Sequence, residues 1–340
     1  MRYTRLWLLG TTLALCLTAL AGPARAADEI VVKMATLAPD GSSWHLTLKE
    51  MGEKWKAISK GKVVLRIYPG GVAGDDGDVV RKIRLGTLNA ASLGSSGLAD
   101  IDRSVLALQV PMMYASYAEF DHVLEKMSPR IEKSYLSKGY VLLSWADAGW
   151  VHFFTKTPVR VPEDLKSLKL FVWGGSNEVT DIWKAAGFNP VPLPSTEIST
   201  ALQTGLVSAL PTTPQAAVLL QWYNHAKNMT DVRWAVLLGG TVISKSVWDK
   251  IPADLHPALL QAAREAGQKI RNDIRASAVR DVEAMKKRGV NVVHVDAAGE
   301  ALWVKAAESA YPKARGVYCP PDAFDEAMKY RDELRKKKGA

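Results

Sequence analysis

The sequence predicts an α/β fold, because short strand-like runs alternate with amphipathic stretches and one later stretch is a single long helix. Ile30–Ala35 and Val63–Tyr68 are compact β-branched runs that suit strands buried on both faces. Trp44–Lys60, which lies between them, has helical spacing of its apolar residues. This order favours parallel sheets with helices on both faces. Ala253–Arg288 predicts a helix about 50 Å long, which exceeds one lobe and should run along two.

The same alternation predicts the rest of the chain. Pro129 should interrupt its helix, because proline has no N–H to donate. Ser195 or Thr196 should cap the helix that follows Pro194. The predicted strands are Asn89–Leu93, Tyr140–Trp145, Leu168–Val172, Pro190–Leu193 and Val290–Val295, and the further predicted helices are Val79–Leu85, Phe120–Leu136, Gly299–Tyr311 and Asp322–Lys337.

The first 26 residues have the pattern of a secretory signal peptide. Arg2 and Arg5 precede the apolar run Leu6–Leu20, and Ala24-Arg25-Ala26 offers a small-x-small cleavage site. A lipoprotein anchored at Cys16 is the alternative, but Leu15 stands where a small residue is expected. No later segment is apolar for long enough to cross a bilayer. We therefore expect a soluble periplasmic protein made of residues 27–340.

Charge and cysteine content exclude several classes of protein. Loss of the signal, with its three arginines, lowers the formal charge from +9 to +6, and much of the remainder lies in Arg335–Lys338. Such a tail is typical of a solvated helix end, so no nucleic-acid partner is expected. Cys319 is then the one cysteine left, so no intramolecular disulfide can form.

Several motifs together resemble the solute-binding protein of TRAP transporters, a family typified by periplasmic dicarboxylate receptors. Their order and spacing over most of the chain make the resemblance specific. The matching segments are YPGGVAGDDGDVVRKIRLGTLNAA (Tyr68–Ala91), LALQVPMMYASYAEFDHVL (Leu106–Leu124), PVRVPEDLKSLKLFVW (Pro158–Trp173) and AAGFNPVPLPSTEISTALQTGLVSAL (Ala185–Leu210), followed by the long helix and the GVNVV strand.

The resemblance implies a two-lobed periplasmic binding protein fold with a ligand cleft between the lobes. The long helix should span both lobes. On this basis we expect a signal peptide at 1–26, a first lobe from 27–148 and about 237–275, a second lobe from 149–236 and about 276–318, and a C-terminal helix at 319–340. It also implies a small-molecule solute, TRAP permease subunits as partners, no cofactor or metal, and a monomer.

The site expected from the family is altered in this sequence. In the family, an arginine on this strand binds both oxygens of the ligand carboxylate with its planar guanidinium group. Phe171 occupies that position here. A second cleft arginine is replaced by Trp150 or Val151. The amide of the family's DGQEN motif becomes Thr212, and Ser195 stands at a position that is often aromatic. Compared with the family, this sequence has fewer charged and amide side chains at the expected site and more aromatic ones.

The resemblance implies a mostly apolar cleft with a few hydroxyl groups. The blander interpretations are core packing for each aromatic side chain, helix capping for Ser95 and Ser96, and a rigid turn for Thr212 and Thr213. The candidate ligand-binding residues are Trp44, Ser95, Ser96, Trp145, Trp150, Phe171, Trp173, Ser195, Thr212 and Thr213.

An apolar or aromatic solute is the expected ligand, because an unpaired carboxylate is costly to bury. Arg84 and Lys33 are the basic residues that would rescue a carboxylate if they reached the cleft.

An enzyme is the competing class, and the sequence does not favour it. It contains no HExxH motif, G-x-S-x-G elbow, P-loop or GxGxxG fingerprint. Gly94-Ser95-Ser96-Gly97 has no histidine and acid tied to it by a recognisable pattern, and GDDGD lacks the closing glutamate of an EF-hand loop. A sensor that presents its closed form to a partner other than a permease is a third possibility, since sensing needs the same cleft.

Overall fold

The computed structural model describes residues 29–174 and 177–339. The expected signal peptide and Cys16 lie outside the described residues. The strands are β1 (Ile30–Thr36), β2 (Val63–Tyr68), β3 (Ala90–Gly94), β4 (Tyr140–Trp150), β5 (His152–Thr155), β6 (Lys169–Trp173), β7 (Asn189–Leu193), β8 (Ala209–Thr212), β9 (Asn228–Thr230), β10 (Val236–Ser244) and β11 (Asn291–Val293). The helices are α1 (Ser43–Ile58), α2 (Asp76–Arg84), α3 (Ser95–Ile101), α4 (Tyr117–Ser137), α5 (Pro162–Lys166), α6 (Asn177–Ala185), α7 (Ile198–Thr204), α8 (Pro214–Leu219), α9 (Lys245–Trp248), α10 (His256–Lys286), α11 (Ala297–Lys313) and α12 (Pro321–Gly339).

Two sheets organise the chain into two lobes, as expected. The first lobe is built on a five-stranded sheet in the order β2-β1-β3-β10-β4, and the second on a six-stranded sheet in the order β11-β9-β5-β8-β6-β7. Each sheet has an apolar cluster on both of its faces, so each lobe has a core of its own. The residue boundaries expected for the lobes stay a prediction.

The sheets are mixed, so the expectation of purely parallel sheets is wrong. β10 runs antiparallel to both β3 and β4, and β5 runs antiparallel to both β8 and β9. The reason is that these strands belong to segments that cross from one lobe to the other. Each of these strands enters its sheet from the other lobe, and this entry point fixes its direction. A parallel neighbour would instead require a βαβ connection within one lobe.

Two crossing segments are hydrogen-bonded to each other between the lobes. The Val151 N–H donates to the Ala235 carbonyl at 2.8 Å, and the Trp234 N–H donates to the Val151 carbonyl at 2.9 Å. β4 ends directly before Val151 in the first sheet, and β5 begins directly after it in the second. Backbone pairing therefore holds both crossings at one place.

Helix α10 spans both lobes, as the sequence predicts. Its 31 residues extend about 46 Å. Leu259 and Ile274 pack into the core of the first lobe, while Met285 packs into the core of the second. The 3-10 turn Ala253–Leu255 precedes the helix, so the α-helix itself begins three residues later than expected.

Helix α4 continues through Pro129, which corrects the expected interruption. Proline leaves one carbonyl without its helical N–H. Ser128, which directly precedes the proline, donates its hydroxyl to the Leu124 carbonyl at 2.7 Å. Apolar side chains on both sides of the proline, including Met127 and Ile131, are fully buried in the core. That burial outweighs the lost hydrogen bond.

Helix α12 packs on the first lobe through charged contacts with α4. Arg130 of α4 contacts Asp322 and Glu326, and Arg335 contacts Glu119. The chain thus returns to the first lobe at its carboxyl end. Within the described residues, helices that combine enough length with enough apolar character to cross a bilayer are absent.

Replacement of Gly267 in α10 should destabilise the fold, because this glycine lets the helix approach β4 closely. A Cβ at Gly267 would lie 2.4 Å from the Trp145 carbonyl oxygen and 2.8 Å from the Ser144 Cβ. We expect Gly267→Ala to lower the free energy of unfolding by roughly 1–3 kcal/mol, although alanine favours helices. Urea unfolding measures this, with Gly52→Ala in α1 as the control. An unchanged or raised free energy would contradict the close approach.

Candidate solute-binding cavity

A cavity of about 870 Å³ lies between the two lobes. It opens at the carboxyl end of β3, where Ser95 and Ser96 begin α3, and at the carboxyl end of β6, where Trp173 and Gly174 follow the sheet. Such a volume falls in the range of sites that take drug-sized molecules. The position between lobes, at strand ends, is a common place for a ligand in α/β folds.

An aromatic wall forms one side of the cavity, and it consists of Trp183, Phe188, Trp234 and Trp303. The ring centroids of Trp183 and Trp234 are 5.8 Å apart, as are those of Trp234 and Trp303. Phe188 meets Trp183 edge-on at 5.2 Å. The rings therefore support one another and present a continuous apolar surface.

Helix α11 orients one ring of this wall and leaves open volume beside it. The Trp303 indole N–H donates to the Arg160 carbonyl at 2.8 Å, which fixes that ring against the second lobe. Ala306, Ala307 and Ala310 also line the cavity, so small side chains face it over the next turns of the helix. A larger residue at those positions would fill the volume.

Charged groups lie mainly on the first-lobe side. Four carboxylates and two guanidinium groups line the cavity, and both arginines already have partners. Arg81 pairs with Asp78 at 2.9 Å. Arg103 donates to the carbonyls of Val317 and Tyr318. The other lining carboxylates are Asp75, Asp100 and Glu197.

Asp76 is buried behind the polar side of the cavity and holds the start of α3 by hydrogen bonds. Its carboxylate accepts from the Ser96 hydroxyl and the Gly94 N–H at 3.0 Å each, and from the Gly97 N–H at 3.4 Å. Burial raises the pKa of Asp76 to about 6, and the neighbouring charge of Asp75 adds to this rise. The three hydrogen bonds act in the opposite direction. Asp76 thus positions the start of α3 at some cost in stability.

One polar contact joins the lobes across the cleft. Asp75 is the N-cap residue of α2, but its carboxylate makes no capping bond. It accepts instead from the Ser195 hydroxyl at 2.5 Å and from the Ser195 N–H at 3.1 Å. Ser195 begins the 3-10 turn before α7, where N–H groups are free to donate. The expected role of Ser195 or Thr196 as a helix cap is therefore wrong, because Pro194 is the N-cap of the 3-10 turn and Glu197 is the N-cap of α7.

The structure brings four of the candidate ligand-binding residues to the cavity. They are Ser95, Ser96, Phe171 and Trp173. Phe171 and Trp173 meet at right angles with their ring centroids 5.0 Å apart, and Phe171 has no solvent exposure. The N-cap of α3 is Gly94, so the capping interpretation of Ser95 and Ser96 is wrong. A binding role for these four residues stays a prediction.

The candidate tryptophans of the first lobe do not line this cavity. The Trp44 indole N–H donates to the Ser92 hydroxyl at 3.0 Å, and its ring packs close to Gly239. Trp150 is buried against Tyr117, with ring centroids 5.3 Å apart. Trp145 lines a separate cavity of about 310 Å³ between α4, β4 and α10.

The candidate hydroxyl residues of the second lobe also lie outside the cavity lining. Thr212 is buried at the end of β8, opposite His152 of β5. Thr213 accepts from the Ala216 N–H at 3.3 Å and so caps α8. Ser195 is held by Asp75. Their ligand-binding roles stay predictions.

The two basic residues considered for a carboxylate are elsewhere. Arg84 donates to the Asp100 carbonyl at 2.6 Å, and Lys33 is an exposed residue of β1. Neither residue lines the cavity. In the part of the chain that the structure describes, groups of side chains suited to a metal ion are absent.

Sequence reasoning missed the aromatic wall. Trp183, Phe188, Trp234 and Trp303 come from segments far apart in the chain, and each alone is most simply a core residue. The available signals were compositional: eleven tryptophans, and a helix with alanines at successive turns after Trp303. Neither signal indicates which tryptophans come into contact in the folded chain.

The chain forms two lobes around separate sheets, and paired crossing segments and a long helix join them. This arrangement, with a cavity between the lobes, is typical of a solute-binding protein. The chain belongs to the DctP family, bacterial extracellular solute-binding protein family 7, whose model matches residues 34–316. Members of this family are solute-binding proteins and not enzymes.

Relatives with assigned ligands are periplasmic receptors. The chain is 26% identical over 255 residues to the 2,3-diketo-L-gulonate-binding periplasmic protein YiaO of Escherichia coli, which covers 74% of this chain and 77% of YiaO. It is also 26% identical over 303 residues to the C4-dicarboxylate-binding periplasmic protein DctP of Rhodobacter capsulatus, with 86% of each chain covered.

Solved structures have the same fold. A TRAP periplasmic solute-binding protein of Citrobacter koseri with bound D-glucuronate is 26% identical, with a TM-score of 0.80 over 89% of this chain and 99% of its own. A protein of the same class from Ralstonia eutropha with bound (S)-2-acetolactate is 22% identical, with a TM-score of 0.83 over 90% of this chain and 99% of its own.

Stability should rise on mild acidification through Asp76. The pKa of Asp76 is about 6 in the folded protein, above the usual aspartate value of 3.8, so the folded state binds the proton first. The contribution of Asp76 to the free energy of unfolding should increase by about 1 kcal/mol from pH 7 to pH 5. Asp76→Asn removes this contribution.

Urea unfolding at pH 7, 6 and 5 checks this, with Asp78→Asn in the same first turn of α2 as the control. The difference between the wild type and Asp76→Asn should grow in favour of the wild type as pH falls. A constant difference would show that Asp76 does not titrate in this range.

Loss of the Ser195 hydroxyl should favour separation of the lobes. Ser195→Ala removes one of two donors to Asp75, a loss of about 1 kcal/mol. We expect a larger radius of gyration by small-angle X-ray scattering without solute, and about fivefold weaker solute binding. Ser137→Ala is a matched control, because that hydroxyl bonds only within α4. An unchanged radius and unchanged binding would rule out a role in closure.

Proposed function

We propose that this protein is the periplasmic receptor of a TRAP-type transporter and that it captures a largely apolar or aromatic solute. The lobes would close on the solute and deliver it to the membrane permease subunits. The observation that carries the ligand class is the buried Phe171 in the middle of β6, which lines the cavity. A basic residue would be needed at this position to bind both oxygens of a carboxylate.

Desolvation energetics support an apolar solute. A solute that buries about 300 Å² of apolar surface gains roughly 7 kcal/mol from the hydrophobic effect. The aromatic wall and the alanines of α11 offer such a surface. A carboxylate placed against the aromatic wall would lose several kcal/mol of hydration without a matched cation beside it. Of the two lining arginines, Arg81 pairs with Asp78 and Arg103 donates to two backbone carbonyls.

An organic acid held by a different basic residue is the second candidate. Relatives and structural neighbours are named for acids such as C4-dicarboxylates and D-glucuronate. Arg81 is the residue that favours this candidate, because its side chain is 67% exposed and lines the cavity. Its pair with Asp78 is a surface contact, which costs little to break.

The co-purified solute distinguishes the two candidates. The mature protein is purified, denatured in organic solvent, and the released molecules are identified by mass spectrometry. A stoichiometric apolar or aromatic compound would support the proposal. A stoichiometric small carboxylate would contradict it and favour Arg81.

Replacement of Phe171 should exchange one ligand class for the other. We expect Phe171→Arg to bind the neutral apolar fluorophore N-phenyl-1-naphthylamine at least tenfold more weakly than the wild type. It should also gain binding of D-glucuronate or succinate by isothermal titration. The reason is that a guanidinium at this position of β6 would supply a counter-charge for the carboxylate.

Phe171→Leu is the matched control, because it keeps an apolar side chain, and circular dichroism establishes that each variant is folded. A folded Phe171→Arg variant that binds the fluorophore like the wild type would show that Phe171 does not face the solute.

A further inference from the structure

Carboxylates outnumber guanidinium groups in the lining of the cavity, four to two. Asp100 lies near the end of α3 and Glu197 ends the 3-10 turn that leads into α7, so the two come from different lobes. Among the described residues, no basic side chain forms an ion pair with either of these carboxylates or with Asp75, which accepts two hydrogen bonds from Ser195. Arg81 has an ion-pair partner, and Arg103 donates to two neutral backbone carbonyls. Three carboxylates and one guanidinium group therefore lack an ion-pair partner, and the remaining charge is negative.

A buried acceptor without a partner also lines the cavity. The side-chain oxygen of Gln109 is buried and accepts no hydrogen bond from the described residues. Gln109 ends the 3-10 helix Arg103–Gln109, next to the aromatic side of the cavity at Pro111. A buried acceptor left unpaired costs about 1–3 kcal/mol, and a donor on a bound molecule would recover this.

The aromatic wall suits a cation as well as a hydrocarbon. The face of an indole ring carries negative partial charge, and it attracts ammonium groups that have lost part of their hydration. Trp183 and Trp234 contribute such rings to the lining of the cavity, and so does Trp303, although the Trp303 ring also stacks on Phe153 with centroids 5.0 Å apart.

We propose that the solute is an amphiphilic organic cation, with an apolar or aromatic body against the tryptophan wall and an ammonium group directed to Asp100 and Glu197. This inference deepens the proposed function and rests on it. It does not require any rearrangement of Arg81 or Arg103. The relatives named for acids would then differ from this receptor in the sign of the charge they recognise.

The environment of Asp100 agrees with this assignment. Partial burial raises the pKa of Asp100, Arg84 opposes the rise, and the charge of Asp75 adds to it. The ionised carboxylate is therefore less well solvated than one in water. A ligand ammonium that reaches it replaces lost hydration with a charge-assisted hydrogen bond.

Three probes with one apolar body test the inference: 1-pyrenemethylamine, 1-pyrenemethanol and 1-pyrenecarboxylate. Energy transfer from protein tryptophan to pyrene measures the dissociation constant of each probe at pH 7 in low salt. We expect the amine to bind at least tenfold more tightly than the alcohol, and the carboxylate at least tenfold more weakly.

Asp100→Asn should reduce the advantage of the amine over the alcohol at least fivefold and leave the alcohol affinity within twofold. Glu197→Gln is the second variant, in case the first does not fold. Asp254→Asn is the matched control, since that exposed carboxylate lies before α10 and away from the cavity lining.

The outcomes separate the inference from the proposed function. Equal binding of the amine and the alcohol would overturn the cation inference and leave the apolar-solute proposal standing. An amine preference that survives both acidic-residue variants would also overturn it. Tightest binding of the carboxylate, or no binding of any probe, would overturn both proposals.

Discussion

The backbone pairing between the two crossing segments is the constraint on which the rest of the molecule depends. Val151 and the Trp234–Ala235 pair exchange hydrogen bonds at the one place where β4 leaves the first sheet and β10 enters it. Residues at the carboxyl ends of β3 and β6 line the cavity beside this pairing. Val151, Trp234 and Ala235 themselves line the cavity. The crossing segments thus form part of the cavity wall, and the rest of its chemistry is set by the side chains that the two lobes bring to it.

Much of the fold could be predicted from the sequence, because local pattern decides it. The period of apolar residues located α10 and the strands β1 and β2 to within a few residues. What failed was decided by distant contacts. The antiparallel direction of β10 depends on which lobe it enters, and the continuity of α4 past Pro129 depends on a core that the local sequence does not reveal. Ser195 looked like a helix cap because its partner, Asp75, is 120 residues away. In the site, family resemblance pointed to Phe171, but no local signal could bring Trp183, Trp234 and Trp303 together.

The net charge of the whole chain does not indicate the charge of the cavity. The chain carries a formal charge of +9, which alone would suggest an anionic ligand. Yet the positive charge lies largely at the two ends of the sequence and on exposed helix faces, where water screens it. Within the cavity, four carboxylates meet two arginines that are already engaged, so the local balance has the opposite sign. Close, partly desolvated groups decide recognition, since interactions across a low-dielectric cavity are stronger than those through solvent.

The contact between Asp75 and Ser195 bears on the lobe closure that we propose. Asp75 occupies the N-cap of α2, where a carboxylate normally bonds to its own helix and contributes about 1 kcal/mol. In this structure it accepts from Ser195 instead and leaves its own helix uncapped. If the lobes separate, the same carboxylate becomes free to cap α2, so opening would recover part of the free energy that the contact between the lobes contributes. A solute would then need only a modest preference for the arrangement with this contact to shift the population towards it. Such a balance would suit a protein that both captures its solute and releases it.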